Sequence, residues 1–241
     1  MTTDVLPLGT ASALPTRDRH LSALAVERKG RVLLFDCGEG TQYRLMHAGL
    51  NRARVDAIFI THLHGDHVYG LMGLLATLGQ LGRSQPVTVV GPSALEPMIH
   101  EMPGVQHDWL PYDVRFVGVP EGVEHEIVYE TEEVTVEARP LDHRVFTIGY
   151  RLQERPRPGR FHPETARALG VTDPRDFGRL QDGESVAVDG DTVRPDEVMG
   201  PEREGIAVAY VTDTRPCDTG RALADGADLL YHDATFADDL A

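Results

Sequence analysis

A chain of 241 residues with 41% apolar content is long enough to bury one sizeable core. No apolar run approaches the roughly 18 residues of a membrane span, and no basic segment followed by an apolar stretch opens the chain. A membrane or secreted protein is therefore not expected, and a cytoplasmic one is. Two cysteines, Cys37 and Cys217, make neither a disulfide framework nor a zinc-finger spacing. The formal net charge of −15, with Lys29 as the sole lysine, runs against simple phosphate binding by basic surplus. It suits a protein adapted to high salt, where screening shortens self-repulsion.

In chain order, alternating or apolar runs predict strands over 4–8, 21–28, 31–36, 57–60, 87–90, 114–117, 134–138, 147–152, 206–210 and 229–232. Helices are expected from Gly38 to Ala48, Gly70 to Leu81, Ala94 to Met102 and Cys217 to Ala224. Strands with interspersed helices imply α/β layering of two mixed sheets rather than a doubly wound sheet, in one domain spanning 1–241. From Glu154 to Gly183 the chain is rich in Arg, Pro and Gly, with a short helix near 163–169. It reads as an inserted, RNA-facing arm offering Arg157, Arg160, Arg175 and Arg179.

The strongest signal is Thr61-His62-Leu63-His64-Gly65-Asp66-His67, directly after the apolar strand 57–60. Three imidazoles and a carboxylate at one strand end would be mutually costly without a metal, and both donor types suit Zn²⁺. Alternation lets His62 and His64 face one ion while Asp66 and His67 face a second. His143 and Asp213 stand at later strand edges as further ligands, and a carboxylate at 213 can bridge two ions. Such a pair of ions makes a water hydroxide-like near neutral pH, with Asp66 placed to orient it or take its proton. His20, His47, His100, His107, His125 and His162 show no ligand spacing. Arg17 and His20, after the first strand, are offered for phosphate contact.

His62-x-His64-x-Asp66-His67 resembles the signature of the metallo-β-lactamase superfamily. Leu8-Gly9-Thr10-Ala11-Ser12-Ala13-Leu14-Pro15-Thr16-Arg17, the stretch Leu34 to Gln42, Leu141-Asp142-His143, Asp213-Thr214-Arg215-Pro216 and His232-Asp233-Ala234-Thr235-Phe236 are similar, in order, to motifs of ribonuclease Z (tRNase Z). That resemblance implies an αββα sandwich of two mixed sheets flanked by helices, with an inserted arm. It implies a homodimeric zinc endoribonuclease that removes the 3′ trailer of precursor tRNA and leaves a 3′-hydroxyl. His62, His64 and His143 would hold one zinc, Asp66 and His67 the other, with Asp213 shared, Asp66 as proton acceptor and His232 on the substrate side. Where many relatives carry Gly-Pro in the arm, this chain reads Asp173-Pro174-Arg175. It also ends at Ala241, before the family's His-Ser-Thr loop and final histidine ligand, so a weakened second zinc and reduced cleavage are expected. The alternatives are a small-molecule phosphodiesterase on the same fold, or a catalytically weak form that only binds.

Overall fold

β1 (Thr3–Gly9), β2 (Ala23–Arg28) and β3 (Arg31–Phe35) form an antiparallel meander. The β2–β3 turn places Lys29 and Gly30 at φ 51° and 72°, the two left-handed positions of a tight hairpin. β4 (Val55–Phe59), β5 (Val87–Pro92) and β6 (Val114–Val119) add in parallel, so the first sheet runs β1-β2-β3-β4-β5-β6. Parallel neighbours need crossovers. These carry α1 (Thr41–His47), α2 (Gly65–Val68), α3 (Leu71–Gln80) and α4 (Glu96–His100). In this computed structural model the described residues are 2–102, 105 and 109–234.

The second sheet has the order β13-β12-β9-β8-β7: β7 (Glu126–Glu130), β8 (Val134–Leu141), β9 (Thr147–Glu154), β12 (Ala207–Val211) and β13 (Leu229–His232). α8 (Asp218–Ala224) crosses between the parallel strands β12 and β13.

Alternation along the strands explains the layers. Val32 and Leu34 of β3 and Ile58 of β4 face the helical side, where Leu71, Leu74, Leu75 and Leu78 give α3 one fully buried stripe. The other faces of β3 and β4 turn Phe35 and Phe59 toward the second sheet. Their rings stack at 4.9 Å and meet Tyr150 and Tyr210 at 5.5 and 5.7 Å respectively. On the far side, Leu223 of α8 packs with Leu141, Ala209 and Val211. The result is the expected helix–sheet–sheet–helix order, with β3 and β4 apolar on both faces.

Two compact units are distinguishable. One comprises Met1–Glu130, Thr135–Leu152 and Ala207–Ala241; the other comprises Thr131–Val134 and Gln153–Ile206. The second holds α5 (Pro163–Ala168), α6 (Pro174–Gln181), a hairpin of β10 (Val186–Val188) and β11 (Asp191–Val193), and α7 (Pro195–Val198). Ala166, Val171, Leu180, Val186, Val193 and Val198 give it a core of its own. Asp173 caps α6 by accepting from the Arg175 amide, with Pro174 in the first turn. The Asp-Pro-Arg stretch is thus a helix start.

Candidate metal centre

The His-rich loop leaves the C-terminal end of β4. Ligand atoms of His62, His64, His143 and Asp213 all lie within 4.8 Å of one another. His62 comes from the loop after β4, His143 from the β8–β9 connection, and Asp213 from the loop after β12, so both sheets contribute. Asp213 sits at φ 45°, a left-handed position that aspartate tolerates.

Asp36 organises this loop, and the sequence reading gave it no role of its own. It directly follows β3, also at a left-handed φ of 57°, and is completely buried. Four donor groups meet its two oxygens, the Thr61 hydroxyl being shared between them at 2.9 and 3.0 Å. Oδ1 takes the Thr61 amide at 2.8 Å and the Thr61 hydroxyl at 2.9 Å. Oδ2 takes His67 Nδ1 at 2.7 Å and the Tyr210 hydroxyl at 2.9 Å. Because the Thr61 proton goes to Asp36, Thr61 Oγ1 receives a proton from His62 Nδ1, 2.9 Å away. That leaves the lone pair of His62 on Nε2, which lies 2.9 Å from His64 Nδ1 and 3.8 Å from Asp213. By the same logic, His67 gives its Nδ1 proton to Asp36 and turns Nε2 between Asp66 and Asp213, 3.5 Å from each.

The electrostatics follow from this packing. Burial, with His67 as a nearby cation, lowers the His62 pKa to about 4. Desolvation opposes charge on His67 too, but Asp36, Asp66 and Asp213 outweigh it and push its pKa up to about 10. The hydrogen bond from His67, joined by the Ala13 amide at 2.9 Å, holds the Asp66 carboxyl well below the usual carboxylate range. His143 is depressed by burial, and its Nε2 is buried with no hydrogen-bond partner.

These observations fit bound cations. An orphaned imidazole nitrogen beside two imidazoles and a carboxylate is a donor set lacking its acceptor. Two carboxylates, Asp66 and Asp213, flank His67 Nε2 and make a second position that favours positive charge. Asp213 reaches both.

Two glycines let the loops close. A Cβ on Gly38 would lie 2.4 Å from the Asp66 carbonyl oxygen, and one on Gly70 would lie 2.1 Å from that of Gly38. Backbone meets backbone there, so Gly70→Ala is expected to cost about 3 kcal/mol. A thermal denaturation midpoint unchanged from the parent would contradict this.

A cleft of about 510 Å³ opens beside His67 and Asp213, lined by Thr10, Ser12, Leu14, Thr16, Arg19 and His232 among others. His232 is among the residues that line it. Arg17 is exposed and not among the lining residues; Arg19 is the arginine of this cleft. Among the described residues neither cysteine joins a metal-ligating group. Burial pushes the Cys37 thiol up to about 12, while Cys217 caps α8 by accepting the Gly220 amide. His107, Thr235 and Phe236 lie outside the described residues.

The arm arginines fall into two groups. Arg157 pairs with buried Glu154 at 2.9 Å, and Arg179 with Asp176 and Glu184 at 3.3 and 3.0 Å. Arg160 and Arg175 are exposed, and no described carboxylate pairs with either.

A family model described as anti-Pycsar protein Apyc1 matches residues 3–102. Over its full length the chain is 62% identical to a ribonuclease Z of Salinibacter ruber, covering 76% of that protein. The chain belongs to the ribonuclease Z family. It is thereby a member of a family of hydrolytic phosphodiester endonucleases. The crystal structure of human tRNase Z, short form, superposes with a TM-score of 0.70 at 26% identity, over 99% of this chain and 80% of that one. The metallo-β-lactamase fold protein YhfI from Bacillus subtilis matches at a TM-score of 0.57 and 17% identity, over 95% of this chain and 69% of that one. The two-sheet sandwich of this ribonuclease Z family member is therefore the metallo-β-lactamase fold.

Proposed function

We propose that this protein is a zinc-dependent endoribonuclease that removes the 3′ trailer of precursor tRNA, leaving a 3′-hydroxyl on the tRNA. The observation that carries the reading is the donor cluster of His62, His64, His143 and Asp213, set in a chain of the ribonuclease Z family. Those four residues hold one ion. Asp66 and His67 hold the second, with Asp213 shared. Imidazole and carboxylate donors favour zinc over harder cations. When bound, the ions acidify the attacking water and neutralise charge on the phosphoryl oxygens.

The chain's own residues do the rest. Asp66, kept ionised by His67 and the Ala13 amide, takes the proton from the attacking water. Asp36 fixes the ring of His67 directly and that of His62 through Thr61. The cleft beside them seats the scissile end of the RNA, with Arg19 and His232 toward its phosphates. The unit of Gln153–Ile206 is the arm that grips the body of the tRNA, Arg160 and Arg175 being its phosphate contacts. A cytoplasmic homodimer completes the reading. Tyr43, Met46 and Tyr69, 58%, 46% and 67% exposed, supply apolar surface for a second copy. No described helix is long and apolar enough to cross a membrane.

The test is cleavage of an end-labelled precursor tRNA in molar salt with added Zn²⁺. One cut beside the discriminator base is expected. Replacing residues 154–205 with a short Gly-Ser linker is sterically simple, because the Glu154 amide donates to the Ile206 carbonyl. That variant is expected to lose tRNA cleavage at least about 100-fold, while hydrolysing bis(p-nitrophenyl) phosphate at the parental rate. Equal loss on both substrates would show that the unit serves the fold rather than the RNA.

A further inference from the structure

We propose that Tyr210 is a positioning residue for His67, acting through the buried carboxylate of Asp36. The inference rests on the metal reading of the site and deepens it.

Tyr210 lies in β12 of the second sheet and is 1% exposed; Asp36 directly follows β3 of the first and is fully buried. The Tyr210 hydroxyl donates to Asp36 Oδ2 at 2.9 Å, the same oxygen that receives His67 Nδ1 at 2.7 Å. A buried carboxylate in left-handed backbone is held in place by its donors, and Asp36 has four of them. Three come from the His-rich loop itself, two from Thr61 and one from His67. Tyr210 is the one that comes from the other sheet. It pins Oδ2 independently of the loop that Asp36 orients. The strand carrying Tyr210 leads in three residues to Asp213, whose Oδ1 lies 3.5 Å from His67 Nε2. One strand thus fixes both ends of the His67 ring, the Nδ1 side through Asp36 and the Nε2 side through Asp213. Without the tyrosine hydroxyl, Oδ2 keeps only donors of the loop that Asp36 orients, His67 Nδ1 at 2.7 Å and the Thr61 hydroxyl at 3.0 Å, and the carboxylate can turn together with that loop. His67 then loses its fixed direction toward the second ion. Partners behind a ligating histidine typically matter by about 10–100-fold in metal affinity.

Tyr150 supplies the control. It is equally buried, stands on the adjacent strand β9 and also donates its hydroxyl, but to the Ile60 carbonyl at 2.7 Å rather than to Asp36. Tyr210→Phe and Tyr150→Phe each remove one buried hydroxyl from the same aromatic layer. Only the first touches the carboxylate.

The experiment compares the parent with both variants, using protein labelled with ¹⁵N-histidine, first metal-free and then in a stepwise titration with Co²⁺ or Zn²⁺. In the metal-free parent, His67 Nδ1–H is expected as a slowly exchanging, strongly downfield signal. Tyr210→Phe should shift that signal or speed its exchange, and should weaken the second metal equivalent about tenfold or more, leaving the first unchanged. Tyr150→Phe should do neither. The proposal is overturned if Tyr210→Phe matches the parent in both readouts, or if it weakens both equivalents alike in step with a lower melting temperature. It is overturned without any variant if the parent lacks a hydrogen-bonded His67 Nδ1–H. If the His67 signal responds to Tyr210→Phe but the parent takes up no metal, the relay stands and the metal reading falls.

Discussion

Asp66→Ala is expected to slow phosphodiester cleavage by about 10²–10⁴-fold while the cluster of His62, His64, His143 and Asp213 retains its ion. The two halves of this expectation come from separate features. Asp66 is not among the four residues whose ligand atoms converge within 4.8 Å, so its removal leaves that donor set whole. It does contact His67 Nε2 at 3.5 Å, and its carboxylate is ionised throughout the working pH range. Its loss removes a proton acceptor and one negative charge from the second position. Asp66→Asn separates geometry from charge: its side-chain carbonyl can still accept the Ala13 amide, so the loop stays anchored. The asparagine variant is expected to be as slow as the alanine variant. Single-turnover cleavage with metal content measured in parallel checks both. A rate within tenfold of the parent in either variant, with the ion retained, would remove Asp66 from the chemistry.

Why some of this was legible in the sequence, and some not, has a physical basis. Three histidines and an aspartate in six positions are conspicuous because few structural roles tolerate them together, so the loop at 62–67 could be read directly. His143 and Asp213 could be placed because each follows an apolar run that had to be a strand. Asp36 could not be read in this way. A lone aspartate at a strand end is usually a turn residue, and its role depends on Tyr210, 174 positions away. The arm is the opposite case. Its arginines are plain in the sequence, but a carboxylate lies three positions from several of them, and in helical or turn geometry that spacing forms ion pairs. Arg157 with Glu154, Arg167 with Glu164 and Arg179 with Asp176 offset part of the apparent basic character. β7 was missed because it is a short edge strand with charged ends, only Val128 being buried. The β10–β11 hairpin did carry a signal: Asp189-Gly190, at φ 50° and 98°, is the residue pair such a turn favours. With three residues per strand, its apolar pattern was too short to stand out.

The second large effect concerns pH in the metal-free protein. Its stability is expected to peak near pH 6.5 and to fall on both sides, and added zinc should abolish the alkaline fall. His67 has a folded pKa of about 10 against an ordinary 6.5. A raised pKa contributes stability that is fully present below 6.5 and is lost as pH rises through 10. The loss is on the order of a few kcal/mol for this buried ring. His62 has the opposite sign. Its folded pKa of about 4 means that the unfolded chain takes up a proton first as pH falls below 6.5, so stability declines over 6.5 to 4. Asp66, depressed below its ordinary range, adds to the acid-side loss. The imidazolium of His67 therefore acts in the metal-free state as the cation that its three carboxylates require. An ion bound at Nε2 must displace that proton, so uptake at this position should release a proton and strengthen as pH rises toward 10. Melting temperatures from pH 4 to 10, with chelator and with saturating zinc, would show the two curves separating on the alkaline side. Parallel curves would mean that no ion competes for the His67 proton, and the second metal position would have to be given up.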